Sequence, residues 1–237
     1  MTAPRRIRPL WFVASSGFVL LVGLGLWQVR RLAAKEAQLA LIAVRAAAAP
    51  IGPAELAERR MLGEDVAYLR VRLTGTYLGD QTKPMIATFD GGPGFELVTP
   101  FLTSDGFAVL VDRGAVPAPL DDRWQVREAA DLVVAVRPLV GRQGMFDPDN
   151  DAAGNRWYWW DLKAMMAATS LPEKAELVPV VVQAESPGSD GLPRPVPLAA
   201  RLRNNHLGYA VTWFSLAAAL LGVTLVFAGG PSRKPRA

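Results

Sequence analysis

From Pro9 to Val29 the sequence carries no charged residue, and arginines close the run on both sides: Arg8 before it, Arg30 and Arg31 after it. A helix needs about 20 apolar residues to cross the hydrocarbon of a bilayer, so this run is just long enough. Trp11 and Trp27 stand near its ends, where amphipathic rings favour the membrane interfaces. A cleaved signal peptide is the competing reading. Against it, Val22-Gly23-Leu24-Gly25-Leu26-Trp27-Gln28 offers no Ala-x-Ala cleavage pattern, and two arginines follow at once. The run reads as an uncleaved anchor. A second span lies between Arg203 and Arg233, with an apolar core from Leu207 to Ala228. Tyr209 and Trp213 sit at its entrance, and Gly229-Gly230-Pro231 ends it.

Two spans place both ends of the chain on one side. Arg5, Arg6 and Arg8, with Arg233, Lys234 and Arg236, make both tails basic, which favours the cytoplasm. Arg30, Arg31 and Lys35 lie just beyond the first span, but long domains translocate despite such charges. The expected organisation is a tail over 1–8, a span over 9–29, a domain over 30–203, a span over 204–230 and a tail over 231–237. The fold class is then α+β: two transmembrane helices flanking a β-rich extracytoplasmic domain.

Composition narrows the chemistry. The 237 residues include one histidine and no cysteine. Disulfides, thiolate nucleophiles, iron–sulfur ligation and zinc fingers are excluded together. A net charge of +4 is too small an excess to imply nucleic acid. Half the residues are hydrophobic (51%) and mean hydropathy is +0.17, as embedded segments require.

Between the spans, residues 31–45 read as a helix continuing out of the membrane, rich in Ala, Leu, Lys and Glu. The stretch from Ala46 to Pro53 breaks it. Tyr68 to Tyr77 alternates as a strand does. Phe95–Pro100 and Phe107–Asp112 flank Ser104-Asp105-Gly106, a hairpin signal. Leu132–Val140 reads as a strand, Trp159–Ala168 as a short helix and Leu177–Ala184 as a last strand. The proline- and glycine-rich stretch from Ser186 to Pro197 leads to the second span.

His206 stands in Asn204-Asn205-His206-Leu207-Gly208-Tyr209, where the second span leaves the outer interface. Two readings are open. One is an interfacial polar residue near the helix start, with Asn204 or Asn205 as cap. The other is a ligand for haem iron or copper. On a helix Tyr209 and Trp213 share a face with His206, so an apolar macrocycle can lie there. Its propionates would reach Arg30, Arg31, Arg201 or Arg203. The plainer account is an aromatic belt and arginines on lipid phosphate. Neither span holds a methionine or a second histidine, so a six-coordinate haem needs another ligand from elsewhere.

Other constellations carry less. Met61, Met85, Met145, Met165 and Met166 are scattered and read as packing. Asp147-Pro148-Asp149-Asn150-Asp151 lacks the glycine and distal glutamate of a calcium loop and reads as a solvated turn. Gly91-Gly92-Pro93-Gly94 reads as a loop rather than a phosphate cradle. Trp157-Tyr158-Trp159-Trp160 suits core packing, with a partner or membrane surface as alternatives. No Gly-x-Ser-x-Gly elbow is present.

Taken in order, these segments resemble the Surfeit locus protein 1 family. The resemblance covers the first-span exit Gly25-Leu26-Trp27-Gln28-Val29-Arg30-Arg31 with Lys35, and Gly75-Thr76-Tyr77. It continues through Gly106 to Pro117 (GFAVLVDRGAVP), Asn155 to Met165 (NRWYWWDLKAM) and Asn204 to Phe214 (NNHLGYAVTWF). Ala115 departs from it, since the family usually carries Trp there.

The resemblance implies a non-enzymatic assembly factor for haem-copper cytochrome c oxidase in the bacterial inner membrane, multi-pass, with its central domain periplasmic. No transit-like leader precedes the first span, which sets the expectation of a bacterial protein. It implies transient binding of haem a and its insertion into subunit I. His206 would be the iron ligand, with Tyr209, Trp213 and Trp27 packing the ring and Arg30, Arg31 and Arg203 holding propionates. The implied partners are subunit I, membrane lipid, haem a synthase and copper-insertion factors, and no nucleic acid. The alternative is a scaffold that touches no haem and holds subunit I or copper-insertion partners through Trp157 to Trp160.

Overall fold

Hydrocarbon satisfies no backbone hydrogen bonds, so the two apolar runs can persist only as helices. In the computed structural model, which describes residues 7–125, 127–138, 143–198 and 205–229, both do. Helix α1 covers Ile7–Ala47 and helix α4 covers His206–Gly229. Each is long and apolar enough to cross a membrane. The tails at 1–6 and 230–237, and the strand end at Leu139 and Val140, lie outside the described residues. The described chain forms two units, one holding the apolar helices up to Ala40 and from Asn205, the other running from Leu41 to Leu198.

Within the helical unit, small residues let two backbones approach, as in lipid where no hydrophobic drive joins helices. A Cβ built on Gly25 would stand 2.7 Å from the Phe214 ring, and one on Gly17 would stand 3.3 Å from Leu220. Ala210 and Ala217, two turns apart on α4, are buried. Rising positions on α1 meet falling positions on α4, so the pair is antiparallel. The outer faces are open and apolar, with Phe12, Val226 and Phe227 about three-quarters exposed.

The second unit is built on a sheet whose ends meet. Helix α2 (Pro53–Met61) precedes strands β1 (Arg70–Tyr77), β2 (Lys83–Phe89), β3 (Gly92–Thr103), β4 (Phe107–Pro117), β5 (Glu128–Val136) and β6 (Glu176–Ala184). Helix α3 (Leu162–Ala167) lies between β5 and β6. The order β1-β5-β6-β4-β3-β2 acquires a further β1–β3 pairing, Gly75 to Tyr77 against Thr103 to Phe101. Five strands therefore close into a ring, with β2 extending from β3. All pairings are antiparallel except β4 with β6.

Alternation along the strands feeds two cores. Val71, Leu73, Tyr77, Phe101, Val109, Val111, Val134, Val180 and Val182 fill one, which Leu56 and Ala57 of α2 join. Leu110 and Val181, with Met85, Val98, Trp157 and Met165, fill the second against α3. Strand β4 is thus buried on both faces, which explains its nearly continuous apolar run. At Gly114 (φ 108°) the register with β3 shifts, so that Val98 pairs Asp112 while Leu97 pairs Gly114, leaving Arg113 as the extra residue of a bulge.

Several sequence expectations shift. Strand β5 runs from Glu128 to Val136 rather than starting at Leu132. Helix α3 starts at Leu162, because the Asp161 carboxylate caps it by accepting from the Ala164 amide at 2.9 Å. Asp90-Gly91, both at positive φ, form the two-residue turn of the β2–β3 hairpin, so Gly92 to Gly94 belong to a strand rather than a loop. Among the four aromatics, Trp157 is fully buried. It is unavailable as a contact surface, while Trp160 is half-buried under Arg137, whose guanidinium carbon lies 4.0 Å from its ring centroid.

Removing the largest of these side chains is the direct test of the second core. Trp157→Ala should cost the domain about 3–5 kcal/mol, the usual range for deleting a buried Trp. Urea unfolding of the full chain in detergent measures this. A loss below about 1 kcal/mol would mean that Trp157 does not anchor the core.

Candidate functional site

An amide side chain inside an apolar helix must find a partner or exact several kcal/mol. Gln28 lies on α1, one residue after Trp27, and is buried. Its Oε1 stands 2.8 Å from Nδ1 of His206, the first residue of α4. An amide oxygen only accepts, so Nδ1 carries the proton and donates. Nε2 has no hydrogen-bond partner among the described residues. One ring nitrogen is anchored by Gln28, the way an outer partner orients a histidine whose other nitrogen is to be used.

The aromatic residues around His206 are not packed away. Tyr209, one turn along α4, is 56% exposed and Trp27 is 52% exposed. Trp213 is half-buried. None of the three rings stacks on another among the described residues. Arg31 lies over Trp27 with its guanidinium carbon 6.0 Å from the ring centroid, and Arg30 is exposed. Arg203, Arg201 and Asn204 lie outside the described residues. The structure brings His206 together with Gln28 and Trp27 with Arg31.

An imidazole nitrogen on a helix that also carries accessible aromatic faces, with arginines on the facing helix, fits an apolar macrocycle that carries a metal and carboxylates. The donor set is one nitrogen, and no group of three or more metal-ligating side chains occurs among the described residues. Gln28 is the candidate site residue that sequence reading did not assign. Its signal was there to see, as the one amide in the first uncharged run.

Many charged groups of the domain are engaged in building it. Asp112 and Glu96 both face Arg137, Glu96 at 3.2 Å, in a buried network between β3 and β4. Asp112 also accepts from the Gly114 amide at 3.0 Å and so fixes the bulge. Arg113 stacks on Tyr77 at 4.3 Å and reaches Glu128 at 3.3 Å. Burial pushes the Tyr77 hydroxyl up to about 12, against the pull of Arg113. Asp147 and Asp151 accept from the Gly144 and Gly154 amides, and Asp151 pairs with Arg156 at 2.5 Å.

Comparison with known proteins identifies the lineage. Residues 16–218 match the SURF1 family. A SURF1-like protein of Monosiga brevicollis is 33% identical over 243 aligned residues, covering 93% of this chain and 88% of that protein. Surfeit locus protein 1 of Homo sapiens is 32% identical over 223 residues, covering 83% of this chain and 70% of its own length. A SURF1-like protein of Rickettsia felis is 28% identical over 225 residues, covering 89% and 92%. With a match across most of its length, both helices and the domain included, the chain belongs to the SURF1 family.

Proposed function

We propose that this protein is an assembly factor for haem-copper cytochrome c oxidase that binds haem a and assists its insertion into subunit I, acting as a carrier rather than an enzyme. Family membership supports the oxidase role, and the Gln28–His206 hydrogen bond carries the haem reading. When bound, haem a would supply an iron centre for a histidine nitrogen to hold. In this reading His206 Nε2 is that nitrogen. Gln28 holds the ring and sets its tautomer. Tyr209, Trp213 and Trp27 offer apolar contact, and Arg30, Arg31 and Arg203 take the propionates. A single ligand from the chain suits a group that must leave again, and subunit I is the expected receiver. Haem a synthase and copper-insertion factors are the further partners of this reading.

The location proposed is the bacterial inner membrane, with residues 30–203 in the periplasm and both basic tails in the cytoplasm. The basic residues outside each span, Arg5, Arg6 and Arg8 with Arg233, Lys234 and Arg236, support that orientation. A fluorescent protein fused to the C-terminus should then be bright, and protease added to spheroplasts should cut the domain while sparing the fusion. A dark fusion beside a protected domain would reverse the topology.

The haem reading is tested by purifying the chain in detergent from cells that make haem a and recording its optical spectrum and pyridine haemochrome. Wild type should carry a haem a band, and His206→Ala should lose or shift it. Gln28→Leu removes only the anchoring acceptor and should weaken haem a affinity by about 10–100-fold, as loss of an outer-shell partner does. A colourless wild type would overturn the reading in favour of the haem-free scaffold.

A further inference from the structure

The Asn155–Met165 segment is absorbed by no part of the haem reading, and it flanks one buried lysine: Asn155 lines the same cavity as Lys83, and the Met165 carbonyl accepts from the threonine that Lys83 bonds. Lys83 opens β2 and is 2% exposed. Its Nζ donates to the Gln81 carbonyl at 3.2 Å and to Thr169 Oγ1 at 3.0 Å. Thr169 passes its own proton on to the Met165 carbonyl at 2.7 Å. Asn155, at φ 51°, donates to the Thr82 carbonyl at 2.9 Å and accepts from Trp157 Nε1 at 2.8 Å. Asp161 caps α3, whose far end delivers Thr169. Turn, buried indole and cap thus position the surroundings of Lys83 rather than any exposed surface.

Lys83 lines a cavity of about 390 Å³ together with Asp80, Gln81, Asn155, Ser170 and two alanines. Most of its polar groups already have partners. Gln81 Nε2 donates to the Ser170 carbonyl at 2.8 Å, and the Ser170 amide donates back to Gln81 Oε1 at 2.7 Å. Asp80 is held by Arg127 through two bonds of 3.1 Å, and nearby Asp151 is held by Arg156. Lys83 differs. Both its acceptors are neutral, no carboxylate forms an ion pair with it among the described residues, and one of its three N–H bonds has no acceptor there. Burial lowers its pKa to about 8, so at neutral pH most of it is still ammonium. A buried charge without a counter-charge is costly, and water supplies an acceptor but no charge. An oxyanion supplies both.

We propose that this cavity binds the carboxylate or phosphate group of a small anionic ligand, with Lys83 as its charge partner and the unused N–H as donor. The volume suits a small molecule. The site uses no residue of the His206 reading and stands or falls separately.

Peptide-resolved labelling with trace acetic anhydride tests the proposal on the full chain in detergent. The probes are inorganic phosphate and succinate, with chloride at matched ionic strength as control, so the two oxyanion sources are read apart. A bound anion that strengthens the amine's hold on its proton tenfold cuts Lys83 labelling at pH 8 about fivefold. Lys163 and Lys174, which do not line the cavity, should be unaffected. Protection no greater than chloride gives, or equal protection at all three lysines, would overturn the site. Stability gives a second readout. The fold depresses the Lys83 pKa from 10.5 to about 8, so the unfolded chain binds more protons over that window. Wild-type stability should therefore gain as pH rises from about 8, and Lys83→Met should abolish the gain. Phosphate or succinate should raise the melting temperature of wild type and not of Lys83→Met. If that variant does not fold, Ser170→Leu narrows the cavity and keeps the amine. Undiminished protection by both anions in Ser170→Leu would overturn the site as well.

Discussion

Hydrocarbon offers no hydrogen bonds, and that constraint organises the membrane part of this protein. It turns both apolar runs into helices, and it leaves Gln28 one economical solution, a polar partner on the neighbouring helix. The same bond decides how His206 is presented. A residue that can be read from sequence as an interfacial polar group becomes an imidazole with one nitrogen tied and the other without a hydrogen-bond partner among the described residues. Close approach of the two backbones through Gly25 and Gly17 is what allows so short a side-chain contact in the first place.

The domain answers a different need, that of disposing of sheet edges. Pairing β1 with both β5 and β3 closes the ring and removes two of them, while β2 extends the sheet beyond it. A closed ring has an inside and an outside, and here both are packed around β4. Its consecutive residues Val109, Leu110 and Val111 serve alternate cores. The buried charges follow from this geometry. Asp112 and Arg113 sit at the bulge where alternation fails, and each is matched there by an arginine, a carboxylate or an aromatic face.

Much of this was legible in the sequence where the signal is local. Uncharged length marked both helices, Ser104-Asp105-Gly106 marked the β3–β4 hairpin, and alternation marked β1. Helix α2, strand β2 and the start of β3 escaped, two of them because their signals point both ways. Pro53 was read as a breaker, yet proline at the first turn of a helix removes only an amide that has no partner there, and it starts α2. Asp90-Gly91 is a hairpin dipeptide, but the glycines and proline after it disguise the first residues of β3, whose later part from Phe95 is legible. Ring closure and the parallel β4–β6 pairing depend on residues far apart in sequence, which no local pattern encodes. Of the site, His206 and its aromatic neighbours were visible as residue types. The role of Gln28 was not, because it exists only once the two helices meet.

The parallel pairing also dictates when the domain can exist. Phe107 and Ala108 register with Glu176 and Leu177, so β4 waits for a strand made almost seventy positions later. Strand β1 waits for β5 in the same way. Such long-range closures are slow steps, since chain entropy is lost before the contacts that reward it can form. The ring is complete only when Ala184 has been made, shortly before His206 opens the second apolar helix. Synthesis order therefore makes the two apolar helices meet late: the closed sheet and the His206–Gln28 contact both await the final quarter of the polypeptide. A ribosome stalled or a chain cut before that quarter yields neither.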